Sequence, residues 1–306
     1  MGVPRTYRKS RENAIASYNY TDIASGEGIS TFKLSVGEDN SWKEYLLLTN
    51  SLITAISTGK LSTNGVRYEF RTNDFNLPRQ VQGNAFFSGY VDNTASGYII
   101  KTTLYKEAGE LSLDGVGDIN WSDATENTYN NTGAYVLIKT FNTTYSYLNK
   151  FEIDMKVTGG GGDKSYIQCK WIYSAGDYSE NATSTTSGTY ATKTLNNPNR
   201  NRQVKTLEIY GRVDSGTGHY KNMNVYEENT SGLTTTALSS EITSPTLSAE
   251  GGILLKIPLT KTIIKKGNRI LLRAETSGTG GLITDPTQEH NTEETAKINI
   301  PFNLDL

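Results

Sequence analysis

Arg202 to Glu228 reads RQVKTLEIYGRVDSGTGHYKNMNVYEE, and its pattern has a counterpart upstream, Arg79 to Glu107, RQVQGNAFFSGYVDNTASGYIIKTTLYKE. Both stretches begin Arg-Gln-Val, reach Val-Asp before a glycine-containing turn, and climb through a tyrosine-bearing run that ends on Glu. Internal repetition is the first organisational signal to test in any chain. The echo extends beyond these stretches. Val136–Lys139 leads to Asn149–Met155, and Ile253–Lys256 leads to Asn268–Arg273. At the front, Tyr45 with Leu46–Leu48 has a partner in Tyr166 with Ile167 and Cys169. Three blocks in the same order predict a tandem duplication. The competing explanation is that β-rich Thr/Asn/Gly sequence aligns easily with itself.

Around the repeat, short runs of β-branched and aromatic residues alternate in character and are bounded by turn residues. Val66–Phe70 is apolar at every second place, which a half-buried strand requires. Asn64-Gly65 is the strongest hairpin signal, since both residues tolerate the positive φ of a tight turn. Helix signals are weak. Glu44–Ile56 is the best candidate, and its Thr-Asn-Ser interruption favours strand–turn–strand. Many short strands separated by Gly turns predict an all-β chain with two tandem antiparallel β-sandwich domains of jelly-roll type. The expected layout is an N-terminal arm over residues 1–30, a first sandwich over 31–162 and a second over 163–306. Gly159–Gly162 closes the first sandwich, and the polar stretches Ser174–Arg202, Thr234–Glu250 and Thr276–Glu294 are expected to be exposed loops. The tail, AKINIPFNLDL from Ala296 to Leu306, alternates to the end of the chain. A strand this regular is paired, either in its own sheet or with a neighbouring subunit. Pro301 cannot donate a ladder bond and points to an edge position.

Composition narrows the function. The 306 residues carry a net charge of −2, without the basic face that a nucleic-acid groove needs. Cys169 is the only cysteine, so neither an internal disulfide nor a cysteine zinc site can form. No run approaches the ~20 apolar residues of a membrane helix. The basic N-terminus (Arg5, Arg8, Lys9, Arg11) has no apolar segment after it, so no secretory signal is expected. A body rich in Thr, Ser, Asn, Gly and Tyr without an export signal fits synthesis inside a cell followed by assembly into a particle.

The motifs that could carry chemistry read mostly as turns and solvated loops. Gly159–Ser165, GGGGDKS, has Asp163 where a phosphate-binding loop requires Gly, and a carboxylate there repels phosphate. Asp114–Asp118, DGVGD, lacks the further acids of a calcium loop and reads as a polar turn. Glu289–Glu294 could hold a metal through His290 and carboxylates, but reads more simply as a solvated charged loop. His219 and His290 both stand in turn-like surroundings without a nucleophile elbow. No catalytic residue, metal ligand or cofactor site is therefore assigned, and no enzyme activity is expected. Aromatics remain: 19 tyrosines and 3 tryptophans. Trp121, in an expected loop, is a candidate sugar platform, and the competing role for any one aromatic is core filling.

The ends of the chain carry a resemblance. MGVPRTYRKS at Met1–Ser10, ASYNYTDIASGEG at Ala16–Gly28 and the closing AKINIPFNLDL are similar to virion-associated proteins of tailed viruses from marine environments. The similarity covers both ends, and the repeated middle fits tandem jelly rolls without being diagnostic of them. The resemblance implies a capsid decoration or accessory structural protein, made in the host cytoplasm and located in the virion. It brings no catalytic motif. Its implied partners are a major capsid or other virion protein and further copies of the chain, with no specific nucleic acid and no membrane. Docking is expected through Arg5, Arg8, Lys9 and Arg11 of the arm and through Ile298, Ile300, Phe302 and Leu304 of the terminal strand. The alternative is a carbohydrate-binding module or adhesin subunit that takes surface glycans, with Trp121 at its site.

Overall fold

The computed structural model describes residues 28–37, 45–49, 60–62, 65–92, 97–159, 163–174, 178–284 and 295–304. Among these residues the regular structure is all β, arranged as antiparallel sandwiches of jelly-roll type. The chain divides into two compact units: Met1–Gly109 together with Thr234–Leu306, and Glu110–Leu233. One unit is therefore inserted into the other in sequence, a division other than the boundary at residue 162 that the repeat predicts.

The inserted unit contains β7 (Ser112–Asp123), β8 (Asn127–Tyr129), β9 (Val136–Thr158), β10 (Ser165–Tyr173), β11 (Tyr178–Thr185), β12 (Ala191–Asn196), β13 (Gln203–Val213) and β14 (Thr217–Ser231). The 23-residue β9 serves both of its layers. Its first half, Val136–Tyr147, pairs with β13, which pairs with β10, which pairs with β11. Its second half, Leu148–Thr158, lies between β12 and β14, and β14 pairs in turn with β7 and β8. Between the halves the chain bends. Thr143 Oγ1 accepts from the amides of Tyr145 (3.0 Å) and Ser146 (3.3 Å), and Tyr145 adopts φ 62°. Such a local hydrogen-bonded turn re-aims a strand without ending it.

Alternation explains why this sequence closes on itself. In β10, SYIQCKWIY is buried at every second residue, so Ile167, Cys169, Trp171 and Tyr173 point into one core. Phe151, Ile153 and Met155 from β9, Leu207 and Ile209 from β13, and Met223 and Val225 from β14 complete it. Two glycines are needed there. A Cβ on Gly218 would lie 2.6 Å from the Tyr129 ring, and one on Gly211 would lie 3.0 Å from it. Tyr129 fills the space they leave and meets Ser165 Oγ at 2.5 Å.

The enclosing unit contains β1 (Gly28–Gly37), β2 (Tyr45–Thr49), β3 (Lys60–Ser62), β4 (Val66–Arg71), β5 (Arg79–Asp92), β6 (Ile99–Ala108), β15 (Thr234–Ala237), β16 (Ile242–Thr243), β17 (Gly251–Ile264), β18 (Asn268–Ser277), β19 (Gly281–Ile283) and β20 (Lys297–Leu304). One run of pairing is β17-β5-β20-β1-β2, with β19 and β3 extending from the end of β5. The other is β4-β18-β6, with β15 and β16 on the far side of β6. A single parallel bridge, Leu47 to Arg71, joins the two runs. The outer face of β4, β18 and β6 carries a charge ladder. Glu69 binds Arg273 and Arg71, and the fully buried Glu107 accepts from Arg71 (2.8 Å) and Arg269 (2.7 Å).

Several expectations are corrected. β20 is not an edge strand, because it pairs with β1 on one side and β5 on the other. Pro301 is tolerated at an interior position because the β20–β5 register shifts between Asn299 and Phe302, where no ladder bond from residue 301 is needed. Gly83, at φ +90°, stands opposite this bulge. The polar stretch Ser174–Arg202 is not one long loop but contains β11 and β12. DGVGD is not a turn, since it runs inside β7. Glu44–Ile56 contributes a strand, β2, and the remainder of that stretch lies outside the described residues.

Candidate functional site

The sequence-derived candidates separate into three groups. Arg5, Arg8, Lys9 and Arg11 lie outside the described residues, as does His290. Ile298, Ile300 and Phe302 are buried in the core of the enclosing unit, at no more than 1% exposure. Phe302 meets the rings of Phe32 and Phe75 edge-on at 6.1 and 5.6 Å, and Arg79 lies over it at 5.5 Å. These side chains are committed to their own fold. Leu304 of β20 stands opposite Arg79 of β5.

Trp121 is in β7 rather than in a loop. Its ring is half-buried against the core of the inserted unit, 5.2 Å from Phe141, with the Lys139 ammonium 5.4 Å from its centre. Lys139 is itself tied to Asp123 at 2.9 Å. His219 bonds Thr158 Oγ1 through Nε2 at 2.8 Å, and its Nδ1 lies 3.9 Å from Glu126. Among the described residues no group of three or more His, Cys, Asp or Glu side chains is placed to hold a metal ion, and no helix is long and apolar enough to cross a membrane.

Two surfaces of the inserted unit stand out. The first is a polar groove of about 400 Å³ across the outer face of β12, β9, β14 and β7. Every strand contributes to it: Thr192 from β12, Glu152 and Asp154 from β9, Asn222 and Asn224 from β14, and Ser122 from β7. The register aligns them in rows, with Thr192 opposite Asp154, and with Asn224 opposite both Glu152 and Ser122. Between Lys221 and Asn224 the β9–β14 register shifts, and Asn222 sits there at φ 48°. Asparagine tolerates that left-handed conformation better than most residues. The groove is held in shape by its own bonds: Asn222 Nδ2 donates to Asp154 Oδ2 at 2.7 Å, and Thr192 Oγ1 donates to Asp154 Oδ1 at 2.6 Å. Burial pushes the Glu152 carboxyl up, but hydrogen bonds from Lys150 and Tyr226 outweigh it and hold the group below its ordinary value.

The second surface is the free side of β7. Among the described strands β7 pairs only with β14, and it exposes Val116 and Ile119, each more than half accessible, beside Asp114 and Asp118. β17 also pairs on one side only, yet it presents Lys256, Pro258 and Lys261 outward. Charged and proline residues of that kind guard an edge against further pairing. β7 carries neither lysine nor proline.

No protein-family model matches the chain, and no curated protein sequence matches it. Among solved structures, the chain is similar to the T13 particle of infectious bursal disease virus, at 9% identity and a TM-score of 0.33, over 92% of this chain and 74% of that one. The subviral particle of the same virus gives 10% identity and a TM-score of 0.32, over 92% and 77%. A tandem carbohydrate-binding module of Paenibacillus barcinonensis gives 8% identity and a TM-score of 0.25, over 56% of this chain and all of that one. Scores of this size establish no common topology, and no function is drawn from them.

Proposed function

We propose that the chain is a non-enzymatic structural component of a virus particle, decorating or reinforcing a capsid or tail through contacts with its own copies and with a virion protein. The observation that carries this reading is the one-sided, acidic edge of β7, twelve residues long, with Val116 and Ile119 exposed. Strand addition to such an edge draws affinity from backbone hydrogen bonds and specificity from side chains on alternate faces. The basic arm of a neighbouring copy, with Arg5, Arg8, Lys9 and Arg11, has the charge that Asp114 and Asp118 call for. The resemblance of the chain ends to virion-associated proteins supports the same reading.

Co-purification with particles tests it. Wild-type chain is expected to sediment with virions or capsids. Asp114→Lys/Asp118→Lys is expected to leave the fold intact and release the chain into the soluble fraction. A variant that stays on particles as tightly as wild type removes β7 from the account. Removal of Thr295–Leu306 does not serve as the test, because β20 is interior and its loss would unfold the enclosing unit.

A further inference from the structure

We propose that the groove across β12, β9, β14 and β7 is a binding site for a neutral oligosaccharide, independent of the particle contact at β7. The argument begins with the kind of side chain each strand supplies. Thr192, Glu152, Asp154, Asn222, Asn224 and Ser122 are hydroxyls, carboxylates and amides, and they line about 400 Å³, within the size range of small-ligand sites. A sugar hydroxyl both donates and accepts, so it needs acceptors and donors side by side. Carboxylates supply only acceptors, amides supply both, and the groove interleaves them along one row.

The floor is also pre-ordered. Asp154 is fixed from two sides by Thr192 and Asn222, and Asn224 Nδ2 reaches the Asn222 carbonyl at 3.3 Å. Side chains locked before a ligand arrives lose little entropy on binding. The bulge at Asn222 turns an amide out of the regular ladder toward the groove, and bulges recur beside binding sites for this purpose. Along the strands the groove is bounded by tyrosines. Two residues beyond Asn224 stands Tyr226, with the Lys150 ammonium 4.6 Å from its ring, and two before Thr192 stands Tyr190, with Lys156 and Lys221 each at 4.3 Å. With lysines over their rings these tyrosines act as walls, so recognition falls on hydrogen bonds between them.

The lining sets the ligand. Its two carboxylates, one of them paired with Lys150 at 2.7 Å, favour a ligand without negative charge, and apart from Ala124 it includes no apolar residue. A neutral sugar chain is what remains.

The test uses the full chain and tetrasaccharides of glucose, xylose, mannose and N-acetylglucosamine, each titrated with amide chemical shifts and calorimetry as readouts. At least one is expected to bind, with shifts concentrated on β9, β12 and β14. Asp154→Ala and Asn224→Ala are expected to weaken binding about ten-fold or more, while Trp121→Ala leaves it unchanged. Asp154→Asn, which keeps the side-chain shape, separates recognition from folding should Asp154→Ala not fold. Silence across the panel, binding untouched by the groove variants, or occupation of the groove by calcium alone each overturns the proposal. None of these outcomes bears on particle association.

Discussion

Arg200 donates two hydrogen bonds of 2.6 Å to Glu228, Nε to Oε2 and Nη2 to Oε1, and so ties the turn before β13 to β14. The same carboxylate accepts from Asn149 Nδ2 at 2.7 Å and from the Gly115 amide at 2.9 Å. One fully buried side chain therefore joins the turn, β9, β7 and β14.

Glu228→Gln is expected to destabilise the inserted unit by about 3 kcal/mol, because it strips the charge from a buried acceptor and leaves its donors poorly satisfied. Arg200→Ala is expected to cost about 1 kcal/mol, since the guanidinium is 39% exposed and water replaces part of what is lost. Urea unfolding of both variants checks the order; equal costs would show that the carboxylate is not the anchor.

In the enclosing unit Glu107 has the corresponding place. Glu107→Ala leaves Arg71 and Arg269 facing each other without their shared carboxylate, and a loss of about 3 to 5 kcal/mol is expected. Thermal unfolding of the variant measures it. A loss below about 1 kcal/mol would mean that water satisfies the two guanidinium groups.

Stability is expected to fall on both sides of neutrality. Burial pushes Glu69 up, and the charges of Arg71 and Arg273 more than reverse it, so its folded-state pKa lies below the ordinary value. Glu152 and Glu228 are lowered by the same balance of burial against donors. Such groups contribute stability that is complete above the unfolded carboxylate value, about 4.3, and is lost as pH falls through the lower folded values. Asp123, held down to about 2 by hydrogen bonds from Thr125 and Lys139, carries the loss to about pH 2. On the alkaline side, burial raises Tyr129 to about 12, and a hydrogen bond to Glu208 raises Tyr210 to about 12. Their contribution is present below about pH 10 and is lost between there and pH 12. Melting temperatures across this range should form a plateau from about pH 5 to 10 with two shoulders.

Cys169 is fully buried in the core of the inserted unit, and burial pushes its thiol well above the ordinary value. A thiol reagent should leave it unmodified in the native chain and modify it fully in denaturant. Prompt labelling of native protein would contradict the packing of β10. Gly218→Ala, which puts a Cβ into the Tyr129 ring, is expected to destabilise by about 2 kcal/mol and to speed that labelling.

The strands were legible where one face is apolar. SYIQCKWIY and VRYEF announce β10 and β4 by alternation alone, and the all-β class follows from many such runs. β11 and β12 were not legible, because YSENATST and ATKTLN bury little more than one side chain each. They are strands because β10 and β9 offer them a ladder. The repeat marks strand and turn pattern, while the two compact units divide the chain at other places than residue 162. β5, from the first block, pairs with β17 from the last, while β13 pairs with the first half of β9. Likewise β6 pairs with β18, and β14 with the second half of β9. Alternation fixes which way a side chain points and says nothing about which strand lies alongside, so the nested pairing was hidden. The tail illustrates the same limit: its period marked a strand, and only the structure shows it enclosed by β1 and β5. The groove had no linear signal, since its residues come from four strands and meet only through cross-strand register. Trp121 stands out in sequence as a tryptophan among polar residues, and the structure places it in β7 beside Phe141 and Lys139.

Sedimentation velocity of the purified full chain over a range of concentration and salt tests the structural role most directly. The account predicts oligomers that grow with concentration, weaken as salt screens the contact between the basic arm and Asp114 and Asp118, and vanish in Asp114→Lys/Asp118→Lys. A single monomeric species at every concentration and salt, for wild type and variant alike, would contradict it.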